Sequence, residues 1–188
     1  PSDSLRYWTT TVWGGDGVGH LWFFTNQSIS GVLARLYRPD PYPTWLWLAL
    51  CLPVLAYGLW RARLAALNGD ELTGMALAGF VASLVSPVTW VHHIFWWVPA
   101  LLAIVDTGFA GNPGSVRSGL RNPWALGFVG LLTYPIVAIS AASHTGTGLV
   151  SLVLSNWLVW LMLLLLVTLP VDADRTHVRK DALLAPRA

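Results

Sequence analysis

The sequence predicts an all-α protein, a polytopic membrane helix bundle of about five helices with an N-terminal loop and a short amphipathic helix. Three observations predict this fold class. Of the 188 residues, 55% are hydrophobic and only 11% are charged, whereas a typical soluble domain has about 25% charged residues. The mean hydropathy is +0.57. The apolar residues are also concentrated in long runs after residue 43. A chain with so few charges cannot build the polar surface of a soluble protein.

Five apolar segments form the predicted bundle, at about 44–60, 71–86, 90–106, 124–141 and 149–170. The last is long enough to cross about 30 Å of hydrocarbon at about 1.5 Å per residue. The second and third are short and are separated at Pro87, which disfavours helix at the residue before it. We therefore predict a re-entrant turn or a tight helical hairpin. Where a helix is interrupted near the membrane, its backbone must be buried in protein or line a wet cavity. This turn is therefore a candidate functional site.

Residues 1–43 are predicted to form an extracytoplasmic loop, followed by a transmembrane bundle over 44–170 and a disordered cytoplasmic tail over 171–188. Within the loop, Ser28 to Tyr37 has apolar residues at helical spacing. We expect a short amphipathic helix there, lying on the membrane surface and stopped by Pro39 and Pro41. Because no apolar helix precedes the loop, we expect the chain to be the C-terminal part of a longer protein.

The basic residues predict the orientation in the plasma membrane. Of the 11 lysines and arginines, three lie in the N-terminal loop and the other eight lie in 61–70, 107–123 and the tail. Lysine and arginine are enriched in cytoplasmic loops, so the multi-pass chain is predicted to have its loop outside and its C-terminus inside. The net charge is only +2 and there is no basic stripe, so we expect no nucleic acid as a partner. The apolar segments lead us to expect membrane lipids as partners.

Two adjacent histidines, His92 and His93, follow the predicted turn. Neighbouring positions give poor chelating geometry and no Cys or Glu accompanies them, so we expect no metal and no cofactor. An imidazole at a membrane interface can instead donate a hydrogen bond to a phosphate or hold a proton near neutral pH. The alternative is that both histidines are interfacial residues that cap the start of a helix.

A second polar cluster comprises Asn26, Gln27 and Ser28, with Arg35 seven residues further on. The three side chains could hydrogen-bond a sugar, and Arg35 could bind a phosphate in a bidentate manner. Alternatively, Asn26 and Ser28 form a glycosylation sequon, or Ser28 is simply a helix N-cap. Glycosyl transfer to a hydroxyl also needs a carboxylate base. No context singles out any of the outer acids, which are Asp3, Asp16 and Asp40.

Several motifs occur in a fixed order: Ser4–Trp8, Val18–His20, Asn26–Gly31 followed by Arg35, and Ser86–His93. Together, over about residues 4–170, they resemble the C-terminal half of the actinobacterial polyprenol-phosphate-mannose-dependent α-(1→2)-mannosyltransferases, glycosyltransferase family 87. The resemblance implies a C-type glycosyltransferase fold. It also implies transfer of mannose, with inversion, from a polyprenyl-phosphate donor to a hydroxyl of a cell-envelope glycolipid or glycan outside the cytoplasm. It implies neither a nucleotide sugar nor a metal.

The resemblance also implies residue roles. His92 and His93 would be catalytic, at the place where the lipid phosphate meets the sugar. The residues implied to bind substrate are Tyr7, Trp8, Asn26, Gln27, Ser28, Arg35 and Trp90. The catalytic aspartate of such enzymes lies in an earlier loop that has no counterpart here. We therefore expect the missing N-terminal helices of the same protein as a partner, and we expect the isolated chain to be inactive.

A non-enzymatic polytopic protein, such as a transporter or a lipid flippase, is the alternative, since broken helices suit that class too. A transporter should place polar or charged groups at mid-membrane depth. Segments 44–60, 124–141 and 149–170 carry no charge, and most histidines fall on the predicted outer side. This distribution favours chemistry at the membrane surface over passage through the bilayer.

Overall fold

A computed structural model describes residues 2–11, 20–93, 95–109, 148–169 and 171. In these ranges the chain is helical and contains no β-strand, which confirms the all-α prediction for the described part. In chain order the elements are α1 (Ser2–Arg6), a π-helical turn (Tyr7–Thr11), α2 (Ile29–Tyr37), α3 (Thr44–Leu67), α4 (Glu71–Val85), a 3₁₀ turn (Val91–His93), α5 (Trp97–Phe109), α6 (Leu149–Ser155) and α7 (Trp157–Thr168).

The first residues differ from the predicted loop, because α1 and the π-helical turn are helical. Asp3 lies in the first turn of α1 and Arg6 in its last turn. Both charges are placed favourably for the helix dipole. Thr9 Oγ1 donates a hydrogen bond to the Leu5 carbonyl oxygen at 2.8 Å. The placement of the two charges favours a helical conformation of this segment, although it has no long apolar run.

Helix α2 begins and ends as predicted. The Oγ of Ser28, the N-cap residue, accepts a hydrogen bond from the Gly31 backbone N–H at 3.1 Å, which satisfies a donor that the first helical turn leaves unpaired. Ile29 and Leu33 are buried, because that face of α2 packs against α3 and α4. Helix α2 therefore belongs to the packed core and also carries Arg35.

Helix α3 extends through Leu67, seven residues beyond the predicted segment. Arg61 and Arg63 consequently lie on a helix and not in a loop, because the alanine- and leucine-rich run up to residue 67 has strong helix propensity. The helix ends before Gly69, which has a positive φ of 74°. Within the described ranges α3 is the one helix long and apolar enough to cross a membrane, or one of two if α6 and α7 count as a single bent span.

Helices α4 and α5 pack against each other as a helical hairpin, which was one of the two predicted arrangements. Asp70 is the N-cap of α4 and accepts a hydrogen bond from the Thr73 N–H at 3.2 Å. The rings of Phe80 and Trp97 are 5.0 Å apart. Helix α5 begins at Trp97, seven positions after the predicted start. Before it, residues 91–93 form the 3₁₀ turn, and residues 95 and 96 form a turn that leads into α5.

The predicted single helix over 149–170 is wrong, because α6 and α7 meet at Asn156 with a bend of 66°. The Asn156 side chain donates to the Leu152 carbonyl at 2.6 Å. Side chains of this kind compete with the backbone hydrogen bonds of a helix. The predicted segment 124–141 and the tail after residue 171 lie outside the described residues. The five-helix count therefore stays a prediction, as do the domain boundaries at 43 and 170.

The apolar core lies where α4 packs against α3, α5 and α7. Phe80 and Leu84 of α4 and Met162 of α7 are fully buried. Gly58 allows α3 to approach α4 closely, since a Cβ atom there would lie 2.2 Å from Val81. Most other apolar side chains of α3 are exposed. The packed side of this bundle holds the polar segments that form the candidate site.

Candidate functional site

The two polar motifs meet in the structure. Asn26 and Trp90 form an isolated antiparallel backbone bridge, and the Gln27 N–H donates to the Thr89 carbonyl oxygen at 2.7 Å. The Asn26–Ser28 segment and the turn that precedes the paired histidines are therefore joined directly. This contact defines the candidate site.

The Asn26 side chain is fully buried and holds the turn in place. Its Nδ2 donates to the carbonyl oxygens of Leu21 at 3.0 Å and Pro87 at 3.2 Å. Its Oδ1 accepts from Ser28 Oγ and from the Thr89 N–H, both at 2.9 Å. An asparagine side chain has two donors and two acceptor sites, and all four are used. The glycosylation alternative is excluded for this conformation, since Nδ2 is enclosed by protein.

Gln27 and Ser28 are also fully buried. Gln27 Nε2 donates to the carbonyl oxygens of Phe24 at 2.5 Å and Ser155 at 2.8 Å, while its Oε1 has no hydrogen-bond partner among the described residues. Ser28 Oγ also lies 3.3 Å from the Pro87 carbonyl oxygen. Both side chains therefore tie the segment to other parts of the fold.

Arg35 extends from α2 and binds three protein groups. Its Nη1 donates to the Phe23 carbonyl at 2.6 Å and its Nη2 to the Asn26 carbonyl at 2.9 Å. Its Nε donates to Asn156 Oδ1 at 3.1 Å, and Nη2 contacts the same oxygen. Burial lowers the pKa of the Arg35 guanidinium to about 10, so the group is still positively charged at neutral pH. Four of its five N–H donors are used within the protein.

His92 and His93 are exposed on the 3₁₀ turn that follows the bridge. Their rings are 4.3 Å apart, at an angle of 75°. The His93 N–H donates to the Trp90 carbonyl at 2.8 Å, and His93 Nδ1 accepts from the Trp90 N–H at 3.4 Å. Because Nδ1 accepts, a neutral His93 carries its proton on Nε2. That N–H is available to an anionic oxygen.

An aromatic cluster lies beside the histidine turn, and sequence reasoning did not identify it as a unit. His20 stacks on Trp22 with ring centroids 5.1 Å apart, and Phe23 lies 6.5 Å from Trp90. The Arg38 guanidinium lies 4.0 Å from the centre of the Trp22 ring, a cation–π geometry. The aromatic-rich run over residues 20–24 was the available signal. Its contact with residue 90 depends on the fold.

Tyr7 and Trp8 are exposed, with relative exposures of 49% and 66%. Their rings are 5.4 Å apart in a T-shaped arrangement. The contacts that join Asn26 to Trp90 do not include them, so their role in stacking on a sugar stays a prediction. Among the described residues, no group of three His, Cys, Asp or Glu side chains could hold a metal ion.

Asn156 is a site residue that sequence reasoning missed. It is fully buried, accepts from Arg35 and occupies the bend between α6 and α7. The available signal was an asparagine within the otherwise apolar run over 149–170, because a polar group there needs a partner. The identity of the partner could not be read from local sequence, since Arg35 is 121 positions away.

Comparison with known proteins points to one family. The model of glycosyltransferase family 87 matches residues 1–87, a little under half of the 188 residues. In this N-terminal part the chain is similar to glycosyltransferase family 87. The family 87 match contains the Asn26–Ser28 segment and Arg35, and it ends at Pro87. His92 and His93 follow directly and are joined to the matched region through the Asn26–Trp90 bridge. The family match and the apolar helix α3 are both consistent with a membrane protein.

The chain is also similar to curated mycobacterial mannosyltransferases. A polyprenol-phosphate-mannose-dependent alpha-(1-2)-phosphatidylinositol mannoside mannosyltransferase of Mycolicibacterium smegmatis is 42% identical over 112 residues, which cover 54% of this chain and 24% of the relative. The protein of the same description from Mycobacterium tuberculosis is 38% identical over 102 residues, with the same coverage. A pentamannoside mannosyltransferase of that species is 30% identical over 137 residues, covering 67% of this chain and 31% of the relative.

The chain thus spans about a quarter of the length of the first two relatives. No solved structure matches it.

Proposed function

We propose that this chain forms part of an enzyme that transfers mannose from a polyprenyl-phosphate donor to a hydroxyl of a cell-envelope glycolipid or glycan. The single observation that carries the proposal is the Asn26–Trp90 bridge. It connects the segment matched by the family to two exposed histidines. The names of the relatives supply the donor class, and they include phosphatidylinositol mannosides as acceptors.

In the proposed reaction the acceptor hydroxyl oxygen attacks the anomeric carbon of the donor mannose. The bond from that carbon to the phosphate oxygen breaks, and the polyprenyl phosphate leaves with the electron pair. His92 and His93 stabilise the charge that grows on the departing phosphate, because donors fixed in place are most effective where charge develops. The hydroxyl proton passes to a carboxylate base supplied by the remainder of the enzyme.

The other residues implied to bind substrate form two groups, one at least partly exposed and one buried. Trp90, Tyr7 and Trp8 present aromatic surface for stacking on sugar rings. Asn26, Gln27 and Ser28 are buried, so in this proposal they shape the cavity wall from behind and hold the histidine turn. Arg35 contributes its positive charge to the site, which favours an anionic donor.

The proposed topology is a multi-pass protein of the plasma membrane, with the histidine turn facing the extracytoplasmic side and the C-terminus in the cytoplasm. The exposed apolar side chains along α3 support contact with lipid or with further helices of the same protein. In this proposal the described helices complete their site only together with N-terminal helices.

The paired histidines provide the test. His92→Ala and His93→Ala, each made in the full-length enzyme, should lower transfer of labelled mannose to phosphatidylinositol mannoside by about 100-fold, the typical loss on removing one fixed donor. His93→Gln, which retains an N–H donor, should lose less transfer activity than His93→Ala. Val91→Ala, on the same turn, is the matched control and should retain activity. Membranes with equal enzyme levels should be compared by radiolabelled product.

Full transfer by both alanine variants would contradict the role of the histidines. Translocation of a lipid across the membrane by the wild-type protein, without any mannosyl transfer, would instead support the transporter alternative. The 66° bend between α6 and α7 is the observation that suits that alternative, since transporters often have broken helices.

A further inference from the structure

We propose that Asn156 is a positioning residue of the transfer site, and that its contact with Arg35 makes the bend between α6 and α7 part of the same network as the histidine turn. This inference rests on the proposed function and adds a residue that lies outside the histidine and Asn26–Ser28 motifs. Its distinctive claim is that a buried amide at a helix break sets the position of exposed imidazoles through two intermediate segments.

The first step is the contact at the bend. Asn156 Oδ1 accepts from Arg35 Nε at 3.1 Å and also from Nη2, and it is the side-chain acceptor among the Arg35 contacts. Asn156 Nδ2 donates to the Leu152 carbonyl at 2.6 Å. One amide therefore binds both the cation on α2 and the last turn of α6. Asn156 is fully buried, so in the native protein water does not compete for the hydrogen bonds of its amide.

The second step is the connection from the bend to the Asn26–Ser28 segment. Arg35 Nη2 donates to the Asn26 carbonyl at 2.9 Å. Independently, Gln27 Nε2 donates to the Ser155 carbonyl at 2.8 Å. The segment is thus attached to both residues at the break, once through the guanidinium and once through an amide. A shift of the bend must move the segment or break these bonds.

The third step leads from the segment to the histidine turn. Asn26 Oδ1 accepts from the Thr89 N–H, and the backbone bridge joins Asn26 to Trp90. Trp90 in turn hydrogen-bonds His93 through backbone and ring atoms. The links from Asn156 to Thr89 lie in buried or partly buried surroundings, whereas the last link, to the His93 ring, is exposed and 3.4 Å long. In this proposal the position of the imidazoles therefore depends on where α6 and α7 meet. Displacements of about 1 Å at a catalytic group are enough to lower a rate strongly.

The buried positive charge of Arg35 explains why an amide side chain occupies position 156. A buried cation is costly unless its donors are paired, and among the described residues Arg35 has no carboxylate partner. Two carbonyl oxygens and the Asn156 amide oxygen solvate it instead. Replacing the amide with an apolar side chain leaves two N–H donors of a charged group without an acceptor, and the guanidinium must then shift.

The experiment compares Asn156→Leu, which removes the acceptor at similar size, with Asn156→Asp, which retains an oxygen acceptor and pairs with the guanidinium. In the full-length enzyme Asn156→Leu should lower kcat about ten-fold or more, the equivalent of one lost hydrogen bond to a charged group. The KM for the lipid-linked donor should stay within about two-fold, because substrate does not touch Asn156. Asn156→Asp should restore most of kcat, and Val153→Ala is the control on the same helix.

A second measurement does not depend on catalysis. Spin labels at the exposed positions Leu36 and Val150 report the distance between α2 and α6. This distance should be shifted or broadened in Asn156→Leu and native in Asn156→Asp. A native distance in Asn156→Leu, or an unchanged kcat, would overturn the inference. If the wild-type enzyme transfers no mannose, the proposed function fails, while the label distances still decide whether Asn156 holds the bend.

Discussion

Gly31 and Asn26 lie so close together that a side chain cannot fit between them. A Cβ atom at position 31 would lie 2.3 Å from the Asn26 carbonyl oxygen and 3.1 Å from Arg35 Nη2. Both of these atoms belong to the network that leads to the histidine turn. The absence of a side chain at residue 31 therefore allows α2 to bring Arg35 against Asn26.

We expect Gly31→Ala to destabilise the protein by about 1–3 kcal/mol, the usual cost of inserting a methyl group into a packed site. Mannosyl transfer should fall with it, because the added methyl displaces the Asn26 carbonyl. Thermal unfolding in detergent, with activity measured on the same preparation, checks both effects.

Gly74→Ala is the matched control for this substitution. Its added Cβ would lie 3.2 Å from the Ala62 carbonyl oxygen, so the neighbour would have to move by only a few tenths of an ångström, and we expect a smaller loss of stability than for Gly31→Ala. Equal unfolding temperatures for Gly31→Ala and the wild type would show that the two segments are not packed as described.

Single residues were predictable where their partners are close in sequence. Ser28 as an N-cap depends on Gly31, three positions away. Residues whose partners come from elsewhere in the chain were not. The substrate-binding interpretation of Asn26 assumed a free amide, but all of its hydrogen-bonding positions are occupied by protein. Only the fold brings those partners together.

At the scale of elements, α3 and α7 are joined by one side chain. Arg61 of α3 donates from Nη1 to the Leu166 carbonyl at 2.7 Å and from Nη2 to the Leu169 carbonyl at 2.5 Å. The last carbonyls of a helix lack partners within the helix and carry partial negative charge. Arg61 therefore caps α7, although the sequence placed it in a loop.

Arg61→Ala should lower stability by about 1–3 kcal/mol, the usual cost of removing hydrogen bonds made by a charged group. The loss comes from the end of α7, so hydrogen exchange should increase mainly over residues 163–169. Arg63→Ala, on the exposed side of the same helix, is the control and should change little. If hydrogen exchange over residues 163–169 were the same in Arg61→Ala as in Arg63→Ala, the capping role would be contradicted.

Elements were predicted best where local signals agree with the tertiary packing. Helices α2 and α4 have N-caps, apolar faces and clear stops, and both begin and end within one residue of the predicted bounds. Hydropathy alone predicted a continuous helix over 149–170, because it does not record the hydrogen-bonding demand of Asn156. Helix α3 was predicted too short, because arginines were taken as loop residues.

At the scale of the whole molecule, the orientation of the chain in the membrane is a prediction that cysteine labelling can test. In a Cys51→Ala background, cysteines introduced at His20 and His92 should react with a membrane-impermeant maleimide in intact cells, because both residues are exposed and are proposed to face outward. A cysteine at Asn68, between α3 and α4, should react only after permeabilisation. Labelling in the opposite pattern would reverse the proposed orientation.

At this scale the sequence predicted an apolar all-α chain with two polar motifs, and the family match supports the class of protein. The resemblance assigned both motifs to the transfer site. Hydropathy carries no information on contacts distant in sequence, so it could not predict that they touch. The predicted segment 124–141 lies outside the described residues, so the number of spans stays a prediction.

The Arg35–Asn156 contact also has a consequence for biosynthesis. The two residues are 121 positions apart, so at about 5–20 residues per second roughly 6–24 s separate their emergence from the ribosome. During that interval the guanidinium has no native acceptor at the bend, and the segment around it stays hydrated. Native positioning of the N-terminal segment must therefore wait for insertion of the last described helix, and a nascent chain stalled before residue 156 should leave its early segment open to protease.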